Sequence, residues 1–291
     1  MDSEQLGALI AAALRDPADR TAHSGSAHVP VRAGSGDQDA DLVTGGLAAV
    51  PEGQRRRVVT ALAARPDVAR VAVEGDLLEV WVTEESRLEA LRTAGSSVPD
   101  ADLRAPHRPV ALTDRPGRWT VREAALVVGD DVLAYELART HRSRPGDQPL
   151  RLDVDVVLRR TPDAPLFRVQ WAHARAAAFT VRAAELGVPS LRNTRVPGGR
   201  REPAGRLAAS LVELPATVAR AVRRHELGPV PRHLEEIAGL LLDLEPERRF
   251  LPGVDEVATE VHSSGVLLVA AAEELTARVL GMLGVSAPTR I

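Results

Sequence analysis

The sequence predicts an α+β protein: a small N-terminal α+β module followed by a mainly α-helical bundle. Three observations carry that reading. Residues 68–83, VARVAVEGDLLEVWVT, are rich in β-branched side chains on either side of a Gly75-Asp76 turn, the pattern of a β-hairpin. From Trp119 onward, apolar residues recur at helical spacing in five long segments. Between these regions, residues 95–118 hold four prolines and show no periodicity.

The elements follow in chain order. Residues 3–15 read as an acid-flanked amphipathic helix, followed by a polar loop over 16–41 and a second helix over 54–64. In the second hairpin strand Leu78, Val80 and Val82 point one way, while Leu77, Glu79, Trp81 and Thr83 point the other. The module ends near Ala94, giving a domain over 1–94, a Pro-rich linker or extended crossing segment over 95–118, and a helical domain with its connective segment over 119–291. Its helices are predicted at 120–139, 166–186, 205–224, 231–244 and 264–283. Gly187 and Gly284 stand where helix-ending glycines belong, Pro215 starts or kinks a helix, and Ser263-Ser264 offers an N-cap. Asp153 and Asp155 in LRLDVDVVL alternate along a strand, the pattern of a solvated face.

Composition excludes several chemistries. The chain is 44% hydrophobic over 291 residues, enough for a sizeable core, yet no run reaches the ~18 apolar residues that cross a bilayer. No signal-peptide pattern opens it, so the expected compartment is the cytoplasm, without a membrane partner. With no cysteine, disulfides, thiol nucleophiles and the commonest structural zinc sites are out. All 37 basic Lys+Arg positions are arginine, which rules out a Walker A lysine and Schiff-base catalysis. No cofactor is expected. Asp37, Asp39 and Asp41 have the opening rhythm of a calcium loop but lack its glycine and final glutamate, and His23 and His28 have no third ligand nearby. GSGDQD at 34–39 lacks the third glycine of a dinucleotide fingerprint.

Charge is segregated. Residues 168–224 hold 11 arginines against three acidic residues, a net of +8, whereas 225–291 hold five against 11, a net of −6. A basic block inside an acidic chain is the footprint of a localised polyanion site, or of a solvated helix face plus a charged loop. Within the block lies FRVQWAHARA, residues 167–176. At about 100° per residue, Arg168, Trp171, Arg175, Phe179 and Arg182 share a stripe about 100° wide, opposite an arc of small residues. Arginines grip phosphate and an aromatic ring stacks on an unpaired base, which is what single-stranded RNA loops require. The same periodicity also allows Trp171, Phe179 and Leu186 to be core with arginines flanking it. His173, on the small-residue arc, reads as a hydrogen-bonded packing residue. The loop RNTRVPGGRREPAGR adds candidate phosphate contacts at Arg192, Arg195, Arg200, Arg201 and Arg206.

VQWAHAR, residues 169–175, resembles the VQYAHAR signature of arginyl-tRNA synthetases, where the catalytic core passes into a helical anticodon-binding domain of the DALR type. The neighbours follow in register. VREAALVVGDDVLAYELAR and PLRLDVDVVLRRTPDAPLFRVQW resemble the stretch after the KMSKS loop of that family. LVELPATVARAVRRHELGPVPRHLEEIAGLLLDL and VLGMLGVSAPTRI resemble its bundle and C-terminus. The resemblance covers roughly residues 119–291. More faintly, SGDQDADLV and GDLLEVWVT resemble parts of the family's N-terminal domain, which touches the tRNA elbow.

The resemblance implies a tRNA-binding protein whose partner is tRNA, tRNA-Arg by analogy, with a cognate aminoacyl-tRNA synthetase as a second expected partner. It also implies that aminoacylation is absent. The family's catalytic domain, with HIGH and KMSKS motifs, has only about 25 residues standing in its place; no HIGH occurs, and a lysine-free chain contains no KMSKS. The other class of reading is a protein-interaction or regulatory partner of the translation machinery that no longer binds RNA. Departures from the family pattern are Trp171 for the signature's tyrosine, Ala134 for an arginine, Ser263 and Gly265 where arginines precede the last helix, and His233 opening a segment that usually carries tyrosines.

Overall fold

The computed structural model describes residues 3–14, 31–33, 40, 42–44, 50–113, 115–142, 149–189 and 201–291. Asp37, Asp39, Asp41, His23, His28 and the GSGDQD stretch lie outside them. The architecture is α+β, about 60% helical, as the sequence predicts.

The N-terminal part pairs α1 (Ser3–Leu14) and α2 (Glu52–Ala63) with an antiparallel sheet of order β1-β2-β4-β3. The strands are β1 (Val31–Ala33), β2 (Leu42–Thr44), β3 (Val68–Glu74) and β4 (Leu77–Val82). Gly75 turns the β3–β4 hairpin at φ +59°, a conformation glycine reaches without steric cost. Leu78, Val80 and Val82 are buried as their alternation predicts, and Leu78 and Val80 join Leu6, Ile10, Leu42, Val58 and Leu62 in a small core. Helix α3 (Glu84–Ser97) then leaves this core. Thr83 caps it by accepting from the Ser86 N–H, and Leu88, Leu91 and Ala94 pack into the main bundle core instead.

Residues 95–118, read as a linker or an extended crossing segment, lie against the bundle. Val98 and Leu103 are buried in the bundle, the Leu103 N–H donates to the Met282 carbonyl at 3.0 Å, and Arg278 donates to the Val98 carbonyl at 3.1 Å. The segment is an extended crossing that ends in β5 (Val110–Leu112) and β6 (Arg115–Trp119). Proline without periodicity describes a strap laid along a bundle as well as it describes a solvated tether, because an extended chain buries isolated side chains at irregular spacing.

A second sheet, order β6-β5-β7, adds β7 (Leu150–Leu152) parallel to β5. Against it pack α4 (Val121–Val128) and α5 (Asp130–Arg139), which the sequence reading joined as one helix. Gly129 separates them at φ +87°. The Asp153/Asp155 strand is likewise shorter than expected: β7 stops at Leu152, and the Asp153 carboxylate accepts from the Val156 N–H to cap α6 (Val154–Val157).

The bundle itself is α7 (Pro165–Glu185), α8 (Pro203–Arg224), α9 (Pro229–Leu244), α10 (Pro246–Phe250) and α11 (Glu260–Met282). Gly187 and Gly284 follow α7 and α11 at φ +65° and +75°, and Pro215 is buried inside α8. Helix α11 starts earlier than predicted. Thr259 and His262 form the cap, while Ser263 and Ser264 lie inside the helix and bond back to the Thr259 and Glu260 carbonyls.

Candidate nucleic-acid interface

Proline at its first turn starts α7, and a run of alanines lets neighbours approach it closely. Its inner side carries Val169, Ala172, Ala176, Phe179 and Ala183 into the main core. Two polar residues on this side hold the chain's final segment. The Gln170 amide donates to the Ser286 carbonyl at 3.1 Å, and the Ser286 N–H and hydroxyl both donate to the Asp131 carboxylate. His173, 3% exposed, places Nδ1 2.9 Å from the Pro288 carbonyl, which only accepts, so the ring donates there. The histidine is a packing residue with a fixed tautomer, as expected from its place on the wheel.

The outer side is the predicted ridge. Arg168 Nε donates to the Pro162 carbonyl at 2.7 Å, tying the guanidinium to the turn before the helix. Trp171 is half-buried and stacks on Phe167 with ring centroids 6.3 Å apart and planes 27° off parallel. The Arg175 guanidinium lies 5.8 Å over the Trp171 ring, within cation–π range. Arg182 is exposed and meets Glu185 at 3.0 Å one turn on. Phe179 leaves the ridge: it is 1% exposed and belongs to the core, while Leu186, the other possible core residue, is 39% exposed. The two readings of the stripe therefore divide, with Phe179 inside, Arg168, Trp171 and Arg175 half-buried at the boundary and Arg182 outside.

Arg201 and Arg206 are exposed near the start of α8. Arg192, Arg195 and Arg200 lie outside the described residues. No three His, Asp or Glu side chains among the described residues stand together to hold a metal ion, and none of the described helices is long and apolar enough to cross a membrane.

Sequence reasoning missed two polar clusters inside the bundle. Arg139 Nε donates to Glu235 at 2.7 Å, and the Tyr135 hydroxyl, fully buried, donates to the Pro231 carbonyl at 3.1 Å. Burial, with the Glu235 and Glu136 charges, pushes the Tyr135 phenol well above its ordinary range, and burial also raises the Glu136 carboxyl. The second cluster centres on His233, whose Nε2 is 3.0 Å from the Ser210 carbonyl and whose Nδ1 is 3.0 Å from the Thr217 hydroxyl. Burial, helped by the nearby Arg220 charge, pushes this imidazole down to about 4. Partners 16 to 96 residues apart leave no local signal to read.

No protein-family model matches the chain. The arginine–tRNA ligase of Kineococcus radiotolerans is 37% identical over 191 residues, 63% of this chain and 32% of that protein. That of Frankia alni is 36% identical over 185 residues, 63% of this chain and 33% of that protein. The chain's homologues are arginyl-tRNA synthetases. What aligns is their C-terminal portion, and the chain spans about a third of the length of the curated relatives it matches. A Campylobacter jejuni protein assigned as an arginyl-tRNA synthetase has a solved structure that shares the fold at a TM-score of 0.50 and 15% identity, over 64% of this chain and 40% of that one.

Departures from the arginyl-tRNA synthetase pattern have structural counterparts. A Cβ placed on Gly265 would lie 2.1 Å from Phe250 Cγ, so the α10 phenylalanine occupies the space an arginine side chain would leave by. Ser263 is fully buried beside it. Where the arginyl-tRNA synthetase signature has tyrosine, Trp171 presents a larger ring to the Phe167 and Arg175 stack.

Proposed function

We propose that this chain is a non-catalytic tRNA-binding protein that grips the anticodon stem-loop of a tRNA, tRNA-Arg by analogy with its relatives, through the outer side of α7. The carrying observation is the Phe167–Trp171–Arg175 stack on a helix whose opposite side is fixed by core packing and by the Gln170 and His173 contacts to the final segment. Such a platform binds without first paying to be ordered. An unpaired base extends the stack, and Arg168, Arg175 and Arg182 neutralise flanking phosphates. Arg192, Arg195, Arg200, Arg201 and Arg206 add contacts to the backbone that tighten binding without choosing the tRNA. In this reading the purified protein neither exchanges pyrophosphate with ATP nor charges tRNA when arginine is saturating.

A second reading has its own support. Val254, Val257 and Val261 are 103%, 84% and 56% exposed, beside Asp255, Glu256 and Glu260, an apolar and acidic strip suited to a protein partner such as an aminoacyl-tRNA synthetase. One experiment separates the two. An Arg168/Arg175/Arg182 triple alanine variant that melts with the parent is expected to bind tRNA at least tenfold more weakly in low salt. Parental affinity in that variant removes the ridge from RNA binding and leaves the protein-partner reading.

A further inference from the structure

Away from α7, an open cleft of about 860 Å³ lies at the edge strand β6, between the end of the crossing segment and α4. Its lining includes Trp119, Ala125, Leu126, Arg108, Arg118 and Arg122. The volume is within the range that small-molecule sites occupy.

The cleft is built rather than incidental. Trp119 is half-buried and packs on the core beneath the second sheet, so its ring is held in place, with Arg115 5.9 Å over it. Arg108 donates to the Thr140 hydroxyl, and burial lowers its guanidinium from the ordinary range. Arg118 and Arg122 are exposed and make no ion pair among the described residues. Arg122 sits in the first turn of α4, where the helix dipole disfavours a cation. The Thr120–Glu123 capping box already satisfies that helix end, so anion recognition here falls to the arginines. Leu126, 86% exposed, supplies an apolar wall, and Asp130 supplies a carboxylate on the rim. An aromatic ring, an apolar wall, two guanidiniums without an ion pair among the described residues, and a carboxylate are complementary to a base, a phosphate and a sugar hydroxyl.

We propose that this cleft binds a nucleotide, with its base on the Trp119 ring and its phosphate held by Arg118 and Arg122. A free mononucleotide and an unpaired nucleotide of single-stranded RNA offer the same chemistry. The site is independent of the α7 ridge.

The test uses the full chain with two probes, AMP followed by equilibrium dialysis and a short labelled oligoadenylate followed by fluorescence anisotropy. Replacing both Arg118 and Arg122 by Ala is expected to weaken the bound probe about tenfold or more, and to lower the oligonucleotide's salt slope by about 0.7 per arginine. Trp119→Leu is expected to lose a similar factor, with Trp119→Phe retaining most of the affinity because a ring remains to stack on. Should Trp119→Leu fail to fold, the exposed arginine pair decides alone, its melting curve serving as the check. The Arg168/Arg175/Arg182 triple alanine variant is expected to keep the cleft's affinity, so failure of the ridge and failure of the cleft are distinguishable. AMP binding as tightly as the oligonucleotide assigns a free nucleotide, and oligonucleotide binding alone assigns RNA. No binding of either probe at millimolar concentration, or parental affinity in the double arginine variant, overturns the proposal.

Discussion

The inner and outer sides of α7 are drawn from similar residues and put to opposite ends. Inside, Gln170, His173 and Phe179 are each completed by the fold, through the Ser286 carbonyl, the Pro288 carbonyl and the main core. Outside, Trp171 is half-buried, and Arg182 is exposed and paired with Glu185 on its own helix. Along one helix, residue type alone does not separate the side chains that the fold completes from those it leaves at the surface. What separates them is whether distant chain supplies a partner.

The largest expected effect attacks the inner side. Phe179→Ala removes a 1% exposed ring from the core and is expected to cost about 3–5 kcal/mol of stability, measured by chemical denaturation. Its effect on tRNA affinity should vanish wherever the variant is still folded. If Trp171→Ala lowers the melting temperature as far as Phe179→Ala does, the two sides are not distinct.

The pH dependence sharpens the same contrast at His233, another histidine completed by distant residues. The folded protein holds its pKa near 4, whereas the unfolded chain takes the proton near the ordinary value of 6.5. Between those limits the unfolded state binds more protons, so stability is complete above about pH 6.5 and falls with pH until it levels near pH 4. The loss from this group is on the order of 3 kcal/mol, since each pH unit across the window is about 1.4 kcal/mol. Denaturant midpoints measured from about pH 7 to about pH 4 check it, and His233→Gln should flatten that part of the profile.

Periodicity made much of the fold legible. The 68–83 hairpin, its inward Leu78, Val80 and Val82, and helices α7, α8 and α9 stand within two residues of expectation because each writes its burial at a fixed spacing. The failures have a common cause in long-range contact. Nothing local in GSSVPDADL says that Val98 and Leu103 will meet α11, or that Thr259 rather than Ser263 caps it. The ridge was legible except for Phe179, because a helical wheel gives directions but not the level of the core. The surroundings of Trp119 went unread: Arg118 and Arg122 stand within three residues of it, but across a strand end and a helix start that share no period, and Arg108 joins them from the crossing segment only on folding.

The smaller effects belong to the outer side and test it from two directions. Trp171→Ala is expected to weaken tRNA binding by about 1–3 kcal/mol with little change in salt dependence, because stacking on a base releases no counterion. Arg182→Ala should do the reverse. Its exposed pair with Glu185, one turn along the helix, contributes only a few tenths of a kcal/mol, so the melting curve should hardly move. Yet if its guanidinium neutralises a phosphate, the slope of log affinity against log salt should fall by about one. The two variants thus leave opposite signatures in one salt series, affinity without slope and slope without stability. An Arg182→Ala protein whose slope matches the parent's would confine recognition to the Phe167–Trp171–Arg175 end of α7 and leave Arg182 an ordinary surface charge.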